Sequence, residues 1–265
     1  MSQASRNMLV RMDVPLQSRD SHRTWLESPR QDKLSERLAR TILSDIVRGQ
    51  LPAGAMLPSE AAMMESYRIG RNSLREALRI LEIHGLIKIK PGPRGGPVVA
   101  SVSSSDLARS ASFYFAAMGA TFGDLLRARL VIEPVMVRLG AANMTPESAA
   151  AITTALERHD QAGPDAQDWM PQSADFHVIV NGLSGNPVLD LVFSALIDIY
   201  VERTPSSYPS NDSERVRRAH GGIAKAIIAG DADLAESRMR RHIESQVTTV
   251  RRRQPELMNQ PIDWR

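Results

Sequence analysis

The chain has 265 residues, 42% of them hydrophobic, with 33 Lys and Arg against 30 Asp and Glu and no cysteine. That length suits two domains. The lack of cysteine excludes a disulfide framework and thiolate metal sites, and it fits a reducing cytosol. No apolar run approaches a membrane span and the first residues lack the apolar stretch of a signal peptide, so a soluble cytoplasmic protein is expected.

The net charge of +3 conceals an asymmetry. Residues 1–100 carry 16 basic and 10 acidic side chains, a balance of +6, whereas the remainder carries 17 and 20, a balance of −3. A basic front half on a mildly acidic back half points to a nucleic-acid-binding module joined to something else. Chance scatter of charge is the alternative, and motif content has to decide between them.

Residues 1–31 mix Ser, Gln, Arg and Pro without periodicity and are expected to form a flexible arm. From Lys33 to Arg48, apolar residues at Leu34, Leu38, Ile42, Leu43, Ile46 and Val47 trace one face of an amphipathic helix. Gly49 stops it, and Pro52 and Gly54 mark a loop. Ser59 is placed to cap a short second helix with Glu60 in its first turn. Gly70 opens a third helix, which Gly85 closes as a left-handed cap.

On the third helix Arg71, Arg75 and Arg79 recur at four-residue spacing, which lines their guanidinium groups along one face. A small β-ribbon follows, Leu86–Lys90 returning through a Gly- and Pro-rich tip to Val98 and Val99, and it carries Lys88, Lys90 and Arg94. A basic helix ahead of a basic hairpin has the form of a winged helix-turn-helix, whose second motif helix lies in the DNA major groove. Arg71 falls in the first turn, where a guanidinium can offer its fork to guanine O6 and N7. Asn72, Ser73 and Arg75 can bond bases or phosphates, and Lys88, Lys90 and Arg94 suit phosphate contact. The alternative is a solvated arginine face paired with Glu76 and Glu82. The turn before the stripe and the hairpin after it favour DNA.

After the Ser-rich linker 101–105, everything reads as helix, at 106–118, 121–142, 146–162, 168–183, 187–203, 212–229 and 231–252. Gly119, Thr145-Pro146, Gly163-Pro164, Gly185-Asn186-Pro187, Pro205 to Pro209 and Gly230-Asp231 supply the breaks. The expected organisation is therefore a mainly α protein. A winged helix-turn-helix fills 32–100, an all-α bundle fills 106–252, and a tail from 253 to 265 frays after Pro255.

Three stretches of the bundle carry polar groups at helical spacing. Arg129 and Glu133 are four apart, as are Ser173, His177 and Asn181, while His220 and His242 sit on two successive helices. Three histidines from three helices can converge on one metal ion of the Zn, Ni or Mn kind. A lone histidine on an amphipathic helix is more often a satisfied core or surface residue, and His22, His84 and His159 are read that way. A zinc hydrolase would use the same three histidines, but no acid stands at matched spacing to act as general base and no HExxH motif is present. A non-specific architectural DNA-binding protein is the other alternative.

The run LPSE, then GRNSLREALRILEIHGLI, then a Gly-rich wing ending in VV resembles the N-terminal domain of GntR-family bacterial transcriptional regulators over about residues 33–100. Two positions depart from that pattern. Gly70 stands where the family usually caps with Ser or Thr, and Ala61 stands where Arg or Lys usually follows LPSE, which removes a family DNA contact. The segments from 106 to 250 are similar to the FCD effector domain of the FadR subfamily. That resemblance implies a ligand-responsive homodimeric regulator, in most cases a repressor, on a palindromic operator in double-stranded DNA, with a small carboxylate sensed in the helical domain. It implies His177, His220 and His242 as ligands of a divalent metal, and Arg129 as the partner of the effector's carboxylate. It also implies an aspartate ligand four residues before His177, and Ser173 occupies that place. Asp175 is no simple substitute, since two residues back is about 200° round the helix. The trio can also hydrogen-bond an anion directly, with Arg129 as charge partner.

Overall fold

A computed structural model describes residues 33–92, 95–161, 169–204 and 210–263, so the expected N-terminal arm and His22 lie outside the described residues. The chain divides into two compact units, one with residues 1–51 and 58–80, the other with 52–57 and 81–265. The division falls ahead of the ribbon, which groups with the helical half.

In the first unit, α1 (Leu34–Arg48) buries Leu38, Ala39, Ile42 and Ile46, the edge that the apolar spacing defines. The helix α2 (Glu60–Tyr67) starts at Ser59, whose hydroxyl accepts from the Ala62 amide at 3.2 Å and satisfies one of the free N–H groups of the first turn. Arg68, in the left-handed conformation, ends α2 and begins the turn into α3 (Arg71–Ile83). Left-handed backbone is unusual for a residue with a Cβ, and this position was not apparent in the sequence. Leu74, Ala77 and Leu78 bury the inner edge of α3. Tyr67 donates to Asp45 Oδ2 at 2.7 Å; burial, then this bond, raises the phenol to about 12.

The second unit holds the ribbon, β1 (Ile87–Lys90) antiparallel to β2 (Gly96–Val99), with Ile87 opposite Val99 and Lys90 opposite Gly96. Residues 54–57 add a third edge that sequence reading left in a loop. Gly54 N–H donates to Val99 O, Val99 N–H to Ala55 O, and Leu57 N–H to Pro97 O, and Met56 bridges Val98. Gly85 has a φ of +67°, and a Cβ there would stand 2.1 Å from the Asp106 carboxylate, so both conformation and space require glycine.

The bundle runs α4 (Ser104–Met118), α5 (Phe122–Ala142), α6 (Pro146–Gln161), α7 (Trp169–Asn181), a 3-10 turn (Gly182–Ser184), α8 (Pro187–Arg203), α9 (Ser210–Ile228) and α10 (Ala232–Arg253). The breaks expected from Gly and Pro fall close to these ends. Thr121 and Asp124 form a reciprocal cap on α5, and Asn186 caps α8 ahead of Pro187. Helix α5 packs along α10, α4 on α8 and α9 on α10. One core joins Val137, Ile152, Phe176, Val180, Ile223, Ile227, Met239 and Ile243, which come from α5, α6, α7, α9 and α10.

The expected fraying tail is corrected. After α10 a short helix, α11 (Pro255–Met258), turns back on the bundle, and Met258 and Ile262 join a core with Phe122, Leu126 and Tyr200. Phe122 N–H donates to Gln260 O at 3.0 Å and Ile262 N–H to Ala120 O at 2.8 Å. Two buried apolar side chains and a pair of backbone bonds outweigh the periodicity that Pro255 interrupts.

Candidate functional site

Two sets of polar side chains stand out, and they differ in exposure. On α3, Arg71, Asn72, Arg75 and Arg79 are exposed and Ser73 is half-buried. In the ribbon, Lys88 and Lys90 are exposed on β1, while Arg94 lies outside the described residues. Among the described residues none of Arg71, Arg75 or Arg79 is ion-paired with Glu76 or Glu82, the pairing expected of a merely solvated face. Glu82 instead accepts from the Ile89 amide at 3.2 Å.

The second set lies inside the bundle. His177 comes from α7, His220 from α9 and His242 from α10, each at most 5% exposed. Their ligand nitrogens lie within 4.8 Å of one another. His242 Nε2 is 3.2 Å from His220 Nε2, 3.3 Å from His177 Nε2 and 3.1 Å from the Gln246 amide nitrogen. One imidazole nitrogen has a single lone pair or a single proton, so it cannot satisfy three such neighbours.

Behind the histidines, α5 supplies a charged brace. Glu133 Oε2 is 2.5 Å from His177 Nδ1, and Glu133 Oε1 accepts from Arg129 Nε at 2.6 Å. Asn181, one turn beyond His177 on α7, donates to the His177 carbonyl at 2.7 Å and lies 3.5 Å from Glu133 Oε2. The Arg129 guanidinium stacks over Tyr200 at 4.1 Å. Arg129 and Glu133 are 1% and 0% exposed, so the pair is stable only because each charge has its partner. Burial alone would raise Glu133, but Arg129 and His177 hold it down at about 2. The carboxylate therefore accepts a proton-bearing Nδ1–H from His177, which leaves Nε2 as a free lone pair aimed into the cluster. Burial, then the neighbouring imidazoles, push His220 and His242 well below the ordinary histidine range, so both present neutral nitrogens.

This donor set fits a divalent cation. Ligands about 2.0–2.1 Å from a tetrahedral zinc stand roughly 3.4 Å apart, close to the Nε2 spacings here. Several buried polar atoms around the cluster have no partner among the described residues: Arg129 Nη1, Asn181 Oδ1, His220 Nδ1 and Gln246 Oε1. Buried polar groups in native proteins are nearly always bonded, so orphans gathered in one place mark a site that takes a ligand. Ser173 is buried on α7, one turn before His177, and adds a neutral oxygen instead of a charge.

Sequence reading missed three members of this neighbourhood. His159, read as part of a polar stretch, is 0% exposed on α6 with its ring 5.0 Å from that of His220. Burial first, then Arg217 and His177, bring it to about 4. Phe176 stacks on His220 at 4.1 Å. Gln246 follows His242 by one turn, and that spacing was the available signal. His84 is exposed.

A helix-turn-helix ahead of a helical bundle with a buried histidine centre is the organisation of a ligand-sensing DNA-binding regulator. Two family models match, "Bacterial regulatory proteins, gntR family" over residues 34–95 and "FCD domain" over residues 124–245. The HTH-type transcriptional repressor NanR of Klebsiella aerogenes is 32% identical over 83% of this chain and 86% of its own length. The NanR repressor of Salmonella arizonae is 31% identical over 80% of this chain and 82% of its own. Among solved structures, the Streptococcus agalactiae GntR protein matches with a TM-score of 0.67 at 24% identity, covering 81% of this chain and 99% of that one, a likeness of fold. The chain belongs to the GntR family of bacterial regulatory proteins, in its FadR-like branch with an FCD effector domain. It is a transcription regulator and not an enzyme, which removes the zinc-hydrolase alternative. No helix among the described residues is long and apolar enough to cross a membrane.

Proposed function

We propose that the protein is a homodimeric repressor in the cytoplasm that binds a palindromic operator and responds to a small carboxylate sensed in the bundle. Arg71, Asn72, Ser73 and Arg75 read or anchor the duplex from the N-terminal half of α3, and Lys88, Lys90 and Arg94 hold its phosphates. Support comes from the exposure of the α3 arginines and the absence of acidic partners among the described residues. The relatives named as repressors give the direction of control.

In the bundle, His177, His220 and His242 would hold a divalent metal of the Zn, Ni or Mn class, with Ser173 beside them in the place of an acidic ligand. The ion would supply a fixed positive charge for the effector's carboxylate. Glu133 orients His177 and keeps its Nε2 unprotonated, and Asn181 steadies the same turn. Arg129 has Nη1 left over after its bond to Glu133, and that N–H can donate to the acid. The effector shifts operator affinity only through a difference in its affinity for the two regulator states.

The observation that carries this reading is the three-way approach of neutral imidazole nitrogens to His242 Nε2 within 3.3 Å. Isothermal titration of the chelator-treated protein with Zn, Ni and Mn tests it. Saturable uptake of about one ion per chain, lost in His177→Ala, is expected. No uptake would remove the metal and leave an anion held directly by the imidazoles and Arg129.

A further inference from the structure

A cavity of about 390 Å³ opens between α9 and α10 against the histidine centre. Four arginines line it: Arg215 and Arg218 from one helix, Arg238 and Arg241 from the other, each pair three residues apart and so on one face. His242 and Gln246 also line it, which makes the cavity continuous with the cluster described above. No Asp or Glu is among its lining residues. Sequence reading left these arginines as ordinary helix-surface charges.

The local partners leave the arginines available. Arg215 donates to the Thr249 hydroxyl at 2.8 Å, and Arg238 donates to the Gly222 carbonyl, so both are steered by neutral oxygens. Arg218 stands 3.9 Å from Glu214, at the outer limit of an ion pair, and both are largely exposed. Arg241 makes no ion pair among the described residues. Four guanidinium groups around one concave space repel one another and concentrate anions. The carboxylate expected at the histidine centre answers to Arg129 and the imidazoles. It leaves the charge of the outer four without a counterpart.

We infer that the effector is a small acid with two separated anionic groups, a dicarboxylate or a phosphorylated carboxylic acid. One group is held at the histidine centre and the second by Arg218 and Arg241 at the mouth. The cavity volume lies at the small end of ligand sites, which suits a compact dianion rather than a long acyl chain. Gln246, with its amide nitrogen on His242 and its Oε1 unpartnered, sits between the two anion positions and can accept a hydroxyl of the acid's backbone. This inference rests on the acid-sensing reading above.

Calorimetric titration of the full-length protein, with and without Zn, tests it using matched probes: glutarate against pentanoate, and 3-phosphoglycerate against glycerate. A charge-assisted second contact should make at least one dianion bind roughly tenfold or more tighter than its monoanionic match. In Arg218→Gln/Arg241→Gln that ratio should fall towards one, with the monoanion's own affinity changed by less than about threefold. Which pair shows the larger ratio separates dicarboxylate from phosphorylated acid. Equal binding of mono- and dianions, or a ratio that survives in the double variant, overturns the inference and leaves the acid-sensing reading standing. Uptake of no acid at all removes that reading, and this inference with it. A double variant that loses affinity for bulk DNA while keeping the ratio assigns the four arginines to phosphate contact instead.

Discussion

The outer face of α3 and the centre of the bundle use the same residue types under opposite conditions. On α3 the arginines are exposed and stay hydrated, so holding them there costs the fold almost nothing. In the bundle, Arg129, Glu133, His177, His220 and His242 are at most 5% exposed, and each must find a partner or destabilise the protein. A charge that is free to change without harm to folding is retained for what it touches outside. A charge that must be compensated inside ties sensing to stability. Substitutions should therefore separate cleanly, with binding lost on one side and folding on the other.

The largest effect is expected from Glu133→Ala. It leaves Arg129 buried without its carboxylate and His177 without its acceptor, and should lower stability by about 3–5 kcal/mol. Urea unfolding followed by circular dichroism reads this directly. A loss under about 1 kcal/mol would mean that the brace is relaxed by water or an ion, and the contrast between the two regions would weaken.

Acidification should be next. His159 is held near 4, and His220 and His242 are held well below 6.5, by burial above all. Between the unfolded value and these lower ones, the unfolded chain binds more protons, so stability falls as pH falls. Each such histidine should cost roughly 1.4 kcal/mol per pH unit below about 6.5. Glu133 acts in a separate window, contributing stability above its unfolded value of 4.5 and losing it as pH falls towards about 2. Thermal unfolding between pH 7 and pH 5 therefore reports the histidines, and His159→Phe should flatten part of that slope. A stability profile level across this range would contradict neutral, buried imidazoles.

Arg71→Ala should leave stability within about 0.5 kcal/mol and weaken specific operator binding by roughly 1–3 kcal/mol with relaxed base preference. Lys88→Ala should have the smallest effect. It should weaken binding to all sequences alike and reduce the salt slope by about one unit. Fluorescence anisotropy on specific and scrambled duplexes at several salt concentrations separates the two. If Arg71→Ala instead unfolded the protein, α3 would belong with the buried region.

The two regions were also unequally legible. Periodicity and capping residues located α1 to α3 and the helices of the bundle to within a few residues, because Ser59, Gly85, Thr121 and Asn186 act on the backbone next to them. The α3 stripe was visible for the same reason, since four-residue spacing fixes a helix face with no tertiary information. His177, His220 and His242 entered through family resemblance, and their spacing alone could not say that three helices bring them within hydrogen-bond reach. Glu133 and Gln246 lay one turn from residues already singled out. His159, the strand edge at Met56 and the docked Met258 and Ile262 were hidden, because each depends on which distant element packs against it. The arginine-lined cavity was hidden in the same way, since it exists only where α9 faces α10.

The most direct test of the account is the affinity of the full-length protein for a labelled fragment of its own promoter, measured by anisotropy in an excess of bulk DNA. The account predicts a preference of roughly a thousandfold or more over bulk sequence, largely lost in Arg71→Ala. Equal affinity for promoter and bulk DNA, or a preference untouched by Arg71→Ala, would contradict it.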